Sequence, residues 1–185
     1  MKTLKSILVT IVLFSIASNA QITKGNWMVG GNGSFSSTSY ETTNSDGSTN
    51  KGKVSQLAVF PNIGYFIVNN FACGLSGNFY LSLPENGGNS TSFGGGPFVR
   101  YYFLKPEKKI NILSQASYYY ASNSDSPKSY NRGYNFKAGP VFYINRIVGL
   151  ELTMDYNISK ISNPYNDTTR KDFTVSLGLQ IHLKK

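Results

Sequence analysis

Residue types that do chemistry are scarce in this chain. It holds one histidine, His182, and one cysteine, Cys73, among 185 residues. A metal centre needs several Cys, His or carboxylate groups at ligand spacing, so no metal site is readable and no cofactor is expected. A lone thiol forms no internal disulfide, which excludes a stapled secreted scaffold. The other chemical candidates are charges set in otherwise apolar stretches: Arg100, Lys137, Glu151 and Asp155. Charges in such surroundings must be paired. They are expected to form one internal network with Gln115 and Gln180, either satisfying one another or serving as a gated ion path.

The elements that must position them follow a single rhythm. Alternating apolar and polar residues run for about ten positions, then break, which marks two-faced strands. Eight such runs are present, near Gly25–Ser37, Val54–Ile67, Phe71–Ser82, Ser92–Leu104, Ile110–Ala121, Gly133–Ile144, Ile147–Ile158 and Asp172–Leu183. The last is the cleanest, with Phe173, Val175, Leu177, Leu179, Ile181 and Leu183 on one face. The fifth is ambiguous in phase; turning Gln115 inward puts Ile112, Tyr118 and Tyr120 outside. In the seventh, Val148, Leu150, Leu152, Met154, Tyr156 and Ile158 face out.

Connections alternate in length. Val68–Asn70, Lys105–Lys109 and Asn145–Arg146 are tight, whereas Thr38–Lys53, Leu83–Thr91, Ser122–Arg132 and Ser159–Lys171 are long and polar. Short turns at one end and long loops at the other are the pattern of an outer-membrane barrel, with both termini on the periplasmic side. The expected fold is therefore all-β: an eight-stranded antiparallel up-and-down transmembrane β-barrel. A mean hydropathy of −0.23 excludes a helical membrane protein, and 15% charged with 14% aromatic residues is unlike an ordinary soluble domain.

Ahead of the strands, Lys2 and Lys5 precede an apolar run from Ile7 to Ile16, and Ser18-Asn19-Ala20 supplies small residues for cleavage. Residues 1–20 are read as a signal peptide cut after Ala20, and residues 21–185 as the barrel domain. Losing the two lysines lowers the formal charge from +9 to +7.

The two faces carry the physics. Outward faces hold no Lys, Arg, Asp or Glu in their spanning portions, as hydrocarbon demands. Aromatics gather at both ends. Trp27, Tyr65, Phe71, Tyr101, Phe103 and Phe142 lie near the tight turns; Phe35, Phe79, Phe93, Tyr118, Tyr134, Tyr156 and Phe173 lie near the long loops. These are two expected membrane girdles; a soluble sandwich would not explain aromatics divided between two ends. The inward face is rich in glycine (Gly30, Gly64, Gly74, Gly94, Gly96, Gly139, Gly149, Gly178), leaving room for Phe98, Arg100, Tyr102, Tyr119 and Tyr143. An eight-stranded interior is just wide enough for side chains to fill, so the lumen is expected to be packed.

Three segments resemble a known family. Phe60-Pro61-Asn62-Ile63-Gly64-Tyr65-Phe66-Ile67 with Asn70-Phe71-Ala72-Cys73-Gly74, and Gly94-Gly95-Gly96-Pro97-Phe98-Val99-Arg100-Tyr101-Tyr102-Phe103, are similar to strands of the small outer-membrane β-barrel domains of Bacteroidota, a porin-like family close to the OmpA and OmpX types. The C-terminal run resembles the signal read by the barrel-assembly machinery, carried here by Ser176, Gly178, Ile181 and Leu183. Many relatives end on an aromatic residue, whereas this chain ends Leu183-Lys184-Lys185. Asp167-Thr168-Thr169 resembles a Bacteroidota O-glycosylation site. The family is functionally heterogeneous, so the resemblance implies a fold and leaves the role open.

The leading expectation is a monomeric, non-enzymatic barrel of the outer membrane. It would have a structural or surface-interaction role in the cell envelope, with membrane lipids and lipopolysaccharide as its surroundings. The alternative is a small porin or a carrier of hydrophobic ligands. A lipid A-modifying enzyme would need a His–Ser pair oriented by an acid near the external leaflet, and His182 falls at the opposite end, facing inward. At that end Lys105, Lys108, Lys109, Arg146, Lys184 and Lys185 oppose only Glu107, a cluster suited to ordinary solvation or to anionic headgroups. Nucleic acid is not an expected partner, because no aromatic stacking surface accompanies the charge.

Overall fold

The computed structural model describes residues 22–43, 49–85, 87–123, 126–162 and 167–184. The signal-peptide and cleavage assignments, and Lys185, lie outside the described residues. Eight strands form one closed sheet: β1 (Trp27–Thr43), β2 (Thr49–Val68), β3 (Phe71–Pro84), β4 (Ser90–Tyr102), β5 (Ile110–Asn123), β6 (Ser126–Tyr143), β7 (Val148–Ser162) and β8 (Asp167–Leu183). Each pairs antiparallel with the next, and β8 returns to β1. This is the all-β up-and-down barrel that the alternating pattern implies, because such a pattern puts every odd residue of a strand on one face.

Strand phase follows the same logic. Ile112, Tyr118 and Tyr120 of β5 are exposed while Gln115 is buried. In β8, Phe173, Val175, Leu177, Leu179 and Leu183 are all exposed. Val148 keeps its expected outward face, opposite Ile181, yet only 8% of it is accessible. Its N–H donates to Asn145 Oδ1 at 2.8 Å and its carbonyl accepts from Ile144 N at 2.9 Å, so the β6–β7 turn wraps it.

The two ends of the barrel are built differently. At the turn end, asparagines staple the short connections. Asn70 takes a left-handed backbone (φ 68), which asparagine tolerates better than most residues. Its Nδ2 donates to the carbonyls of Tyr102 and Leu104 at 2.8 and 2.9 Å. Asn111 Oδ1 accepts from Leu104 N at 2.9 Å, and Asn145 Oδ1 accepts from Ile147 N at 2.8 Å.

At the other end the expected long loops are mostly strand. The β1–β2 ladder continues to Thr43 opposite Thr49, β5–β6 to Asn123 opposite Ser126, and β7–β8 to Ser162 opposite Asp167. Only the β3–β4 connection, beyond Pro84 and before Ser90, leaves the sheet early. The reason is that both faces are polar there, so the period-two signal vanishes, although hairpin pairing needs no apolar face.

Three ladders skip two residues at an outward proline, apart from register shifts at Phe66/Val68 and Ser122/Asn123. Pairing skips Phe60–Pro61 between β2 and β3, Gly96–Pro97 between β4 and β5, and Gly139–Pro140 between β6 and β7. Proline has no N–H to give a neighbour. Each proline keeps its place on its other flank, opposite Gly31, Leu75 and Ile112 respectively.

Candidate functional site

The lumen has three tiers. The lowest, at the turn end, is an apolar and aromatic seal made of Ile22, Met28, Phe66, Ala72, Tyr102, Leu113 and Val141, all fully buried. Ile22 belongs to the segment ahead of β1, which is tied across the base: Gly25 N donates to Phe66 O at 2.9 Å and Asn70 N to Ile22 O at 2.8 Å. Glycine makes this tier fit. A Cβ at Gly64 would stand 2.9 Å from both Met28 Cγ and Phe98 Cζ, and one at Gly74 would strike the Ile63 carbonyl and lie 2.7 Å from Phe98 Cε1.

His182 is part of the seal. Its ring sits among Phe66, Tyr102 and Tyr143, with centroids 5.8, 5.9 and 5.8 Å away. Neither ring nitrogen has a hydrogen-bond partner among the described residues. A nucleophile–base pair requires a hydroxyl in hydrogen-bond reach, and no serine among the described residues bonds to either nitrogen.

The middle tier is a charged belt centred on Arg100, only 1% accessible. Its Nη1 donates to Glu151 Oε1 at 2.7 Å, to Gln180 Oε1 at 3.2 Å and to the Tyr102 hydroxyl at 3.2 Å. Its Nε donates to Gln115 Oε1 at 2.8 Å, and its guanidinium lies 5.7 Å from the Phe98 ring centroid. Four of the six expected network residues therefore meet at one point. Lys137 and Asp155 form a second, looser pair at 3.6 Å, with Thr153 donating to Asp155 Oδ2 at 3.2 Å. Lys137 stands opposite both Gln115 and Asp155 in the ladders, in the row that begins at Arg100.

The upper tier corrects the expectation of a packed lumen. Above Gln115, Lys137 and Asp155 the barrel holds a cavity of about 1190 Å³, somewhat larger than is usual for small-molecule sites. Its inward lining is short and uncharged for the most part: Ser34, Asn78, Ser92, Ser117, Asn135 and Asn157 among others. These side chains are too small to fill an eight-stranded bore. Sequence reasoning saw the inward glycines of the lower tiers and missed the serine and asparagine run of the upper one. Comparing side-chain volume at successive inward positions would have exposed it.

The outer surface carries the aromatic rows. Trp27 pairs with Tyr65 at a ring distance of 5.1 Å, and Phe71 stands opposite Tyr101, which is 5.0 Å from Phe103. Toward the other end Phe79 faces Phe93, Tyr118 faces Tyr134 at 5.4 Å, and Phe136, Tyr156 and Phe173 line up across three strands. Phe35 and Phe142 are also exposed. The expected assembly residues Ser176, Gly178, Ile181 and Leu183 lie in the second half of β8.

This architecture has relatives among solved structures. The chain shares the fold of an outer-membrane protein, OprG from Pseudomonas aeruginosa. The TM-score is 0.53 at 12% identity, covering 90% of this chain and 100% of that one. Neisserial surface protein A matches with a TM-score of 0.48, 15% identity and coverage of 85% and 97%. AlkL, solved in lipid bilayers, matches at 0.46, 13% identity and coverage of 92% and 95%. No family model and no curated protein matches the sequence. At these identities the likeness concerns the fold alone.

Proposed function

We propose that the chain is an integral protein of a bacterial outer membrane. In this reading it binds a small molecule in a cup open away from the periplasm, and it is neither an enzyme nor a diffusive pore. The physical support for the membrane is the belt of exposed apolar side chains around all eight strands, from Leu183 to Phe173 along β8, with aromatic rows at both edges. The signal peptide cut after Ala20, the periplasmic placement of the termini and handling by the barrel-assembly machinery through Ser176, Gly178, Ile181 and Leu183 belong to the same proposal. So do contact with lipids and lipopolysaccharide and a monomeric state. No binding of nucleic acid is included.

One observation carries the choice of role: a cavity of about 1190 Å³ stands on Gln115, Lys137 and Asp155, and the fully buried seal closes the bore beneath them. A bore blocked by Tyr102, Phe66, Met28 and the Arg100 cluster gives a hydrated solute no through path, while the hollow tier offers hydroxyls and amides to a ligand. A surface-presentation role is favoured by a separate feature, the hairpin ladders that run past the apolar belt to Thr43, Asn123 and Ser162.

Planar-bilayer recording and liposome swelling with small sugars test the cup against the pore. The wild-type protein is expected to leave both at the level of protein-free membranes. Steady conductance from the wild-type barrel would overturn the reading.

A further inference from the structure

β1 and β8 close the barrel through only six pairs, from Trp27 opposite Leu183 to Asn32 opposite Gly178. Both strands continue well past that point, β1 to Thr43 and β8 back to Asp167, yet they no longer pair with each other. Continued in register, Ser34 would face Ser176 and Phe35 would face Val175. The seam is therefore open from Gly33 and Leu177 upward. This differs from the proline gaps, which are two residues long and bounded by pairing on both sides.

The opening lies at the level of the apolar belt. Its edges carry outward-facing Phe35, Leu177, Val175 and Phe173, exposed at 68, 62, 60 and 66%. Those same four residues line the cavity together with inward-facing Ser117, Asn135 and Asn157 on the opposite wall. The lining takes in both edges of the unpaired seam as continuous runs, residues 32–36 of β1 and 173–177 of β8.

From this we infer that the upper seam between β1 and β8 is a side entrance by which the hydrocarbon chain of a single-chain amphiphile passes between the surrounding leaflet and the cup. The inference rests on the cup reading above and names its ligand class. The mouth is apolar and suits an alkyl chain. The wall it leads to is mainly hydroxyl and amide, and the charges that line the cup already stand in opposite-sign pairs: Lys137 with Asp155 at 3.6 Å and Arg170 with Asp172 at 2.6 Å. The head that fits is uncharged and rich in hydroxyls, as in a monoacylglycerol. Such a head can also satisfy the unpaired backbone groups of the two strand edges, which hydrocarbon cannot.

The test uses the full mature barrel in lipid nanodiscs and a monoacylglycerol bearing a diazirine near the end of its chain. After illumination, labelled residues are mapped by mass spectrometry. The wild type is expected to carry label on Ser117, Asn135 or Asn157 as well as on outward Tyr118. A Ser34→Cys, Ser176→Cys pair in a Cys73→Ala background locks the seam as a disulfide. Locking is expected to lower interior label at least fivefold, to leave Tyr118 unchanged, and to be reversed by reduction. Ser117→Trp, which fills the cup and leaves the seam free, is expected to lower label on Asn135 and Asn157 to the same extent whether or not the disulfide forms. Interior label that persists in the locked barrel would overturn the side entrance and leave the cup standing. Absence of interior label from the wild type would overturn both. Equal interior label from a diazirine fatty acid would overturn the uncharged head.

Discussion

The lower and upper halves of this lumen are built from the same strands and behave as different materials. Below Gln115 the inward positions alternate glycine with large residues, so Phe98, Arg100 and Tyr102 interlock against Met28 and Phe66 until almost nothing is accessible. Above it serine and asparagine prevail at the inward positions, with Phe60, Tyr80 and Tyr119 among them, and the bore stays hollow. Closure follows the same division: β1 and β8 pair along the packed half and part along the hollow one. Strand number sets the diameter of a barrel. Whether that diameter becomes a plug or a cup depends on residue size at about three inward positions per strand.

The sharpest way to break the contrast is to remove the pivot of the packed half. Arg100→Ala leaves the Glu151 carboxylate buried without its guanidinium and strips partners from Gln115 and Gln180. Breaking one side of a buried pair costs about 3–5 kcal/mol. Urea unfolding in detergent micelles, followed by the heat-modifiable shift on gels, should show a loss of that size. Lys137→Met on the neighbouring pair leaves Asp155 buried with the Thr153 hydroxyl, but that pair is longer and borders the cup, so the loss should be smaller, about 1–3 kcal/mol. Equal losses would mean that the two halves are not distinct.

A smaller difference separates two inward positions of β3. At Gly74 an added Cβ meets the Ile63 carbonyl and comes within 2.6 Å of Gly64 Cα, so backbone must move. Gly74→Leu is expected to destabilise by about 1–3 kcal/mol through overpacking. Asn78, four residues further along the same face, borders the cavity, and Asn78→Leu should stay within about 0.5 kcal/mol. Parallel unfolding titrations decide it. A Gly74→Leu barrel as stable as the wild type would show that the lower half has slack.

How far the sequence leads can be read from these same residues. The period-two pattern identifies the strands, and it orients β5 as soon as Gln115 is required to face Arg100. Inward charge among apolar neighbours points to pairing, and Glu151 meets Arg100. The pattern fails where its physical cause stops. Beyond the apolar belt both faces of β1, β2 and β6–β8 are polar, so Thr38–Thr43 and Asp167–Lys171 read as loop although they are paired strand. The hollow cup is a sum over eight strands and has no local signature. The open seam is subtler still, since it depends on how β1 and β8, the two strands farthest apart in the chain, meet in space.

The smallest expected effect lies at the hairpin end, beyond both halves. Lys160 Nζ sits 2.6 Å from Asp167 Oδ2 across the β7–β8 hairpin, with both side chains about half exposed. The hydrogen bond from Lys160, then one from Ser162, and the charges of Lys160 and Arg132 hold the Asp167 carboxyl below its ordinary range. A folded carboxyl that is more acidic than its unfolded form contributes stability above the unfolded pKa, and that contribution disappears as pH falls through the folded pKa. The pair is exposed to solvent and screened by salt, so the contribution is small. Carboxyl NMR titration of the wild type against Lys160→Met should move the Asp167 midpoint up toward the usual aspartate value, with no change in the apparent unfolding midpoint at neutral pH. If the Asp167 midpoint did not move, the hairpin ion pair would have no standing in solution, and the rigidity of the β7–β8 extension would rest on its backbone ladder alone.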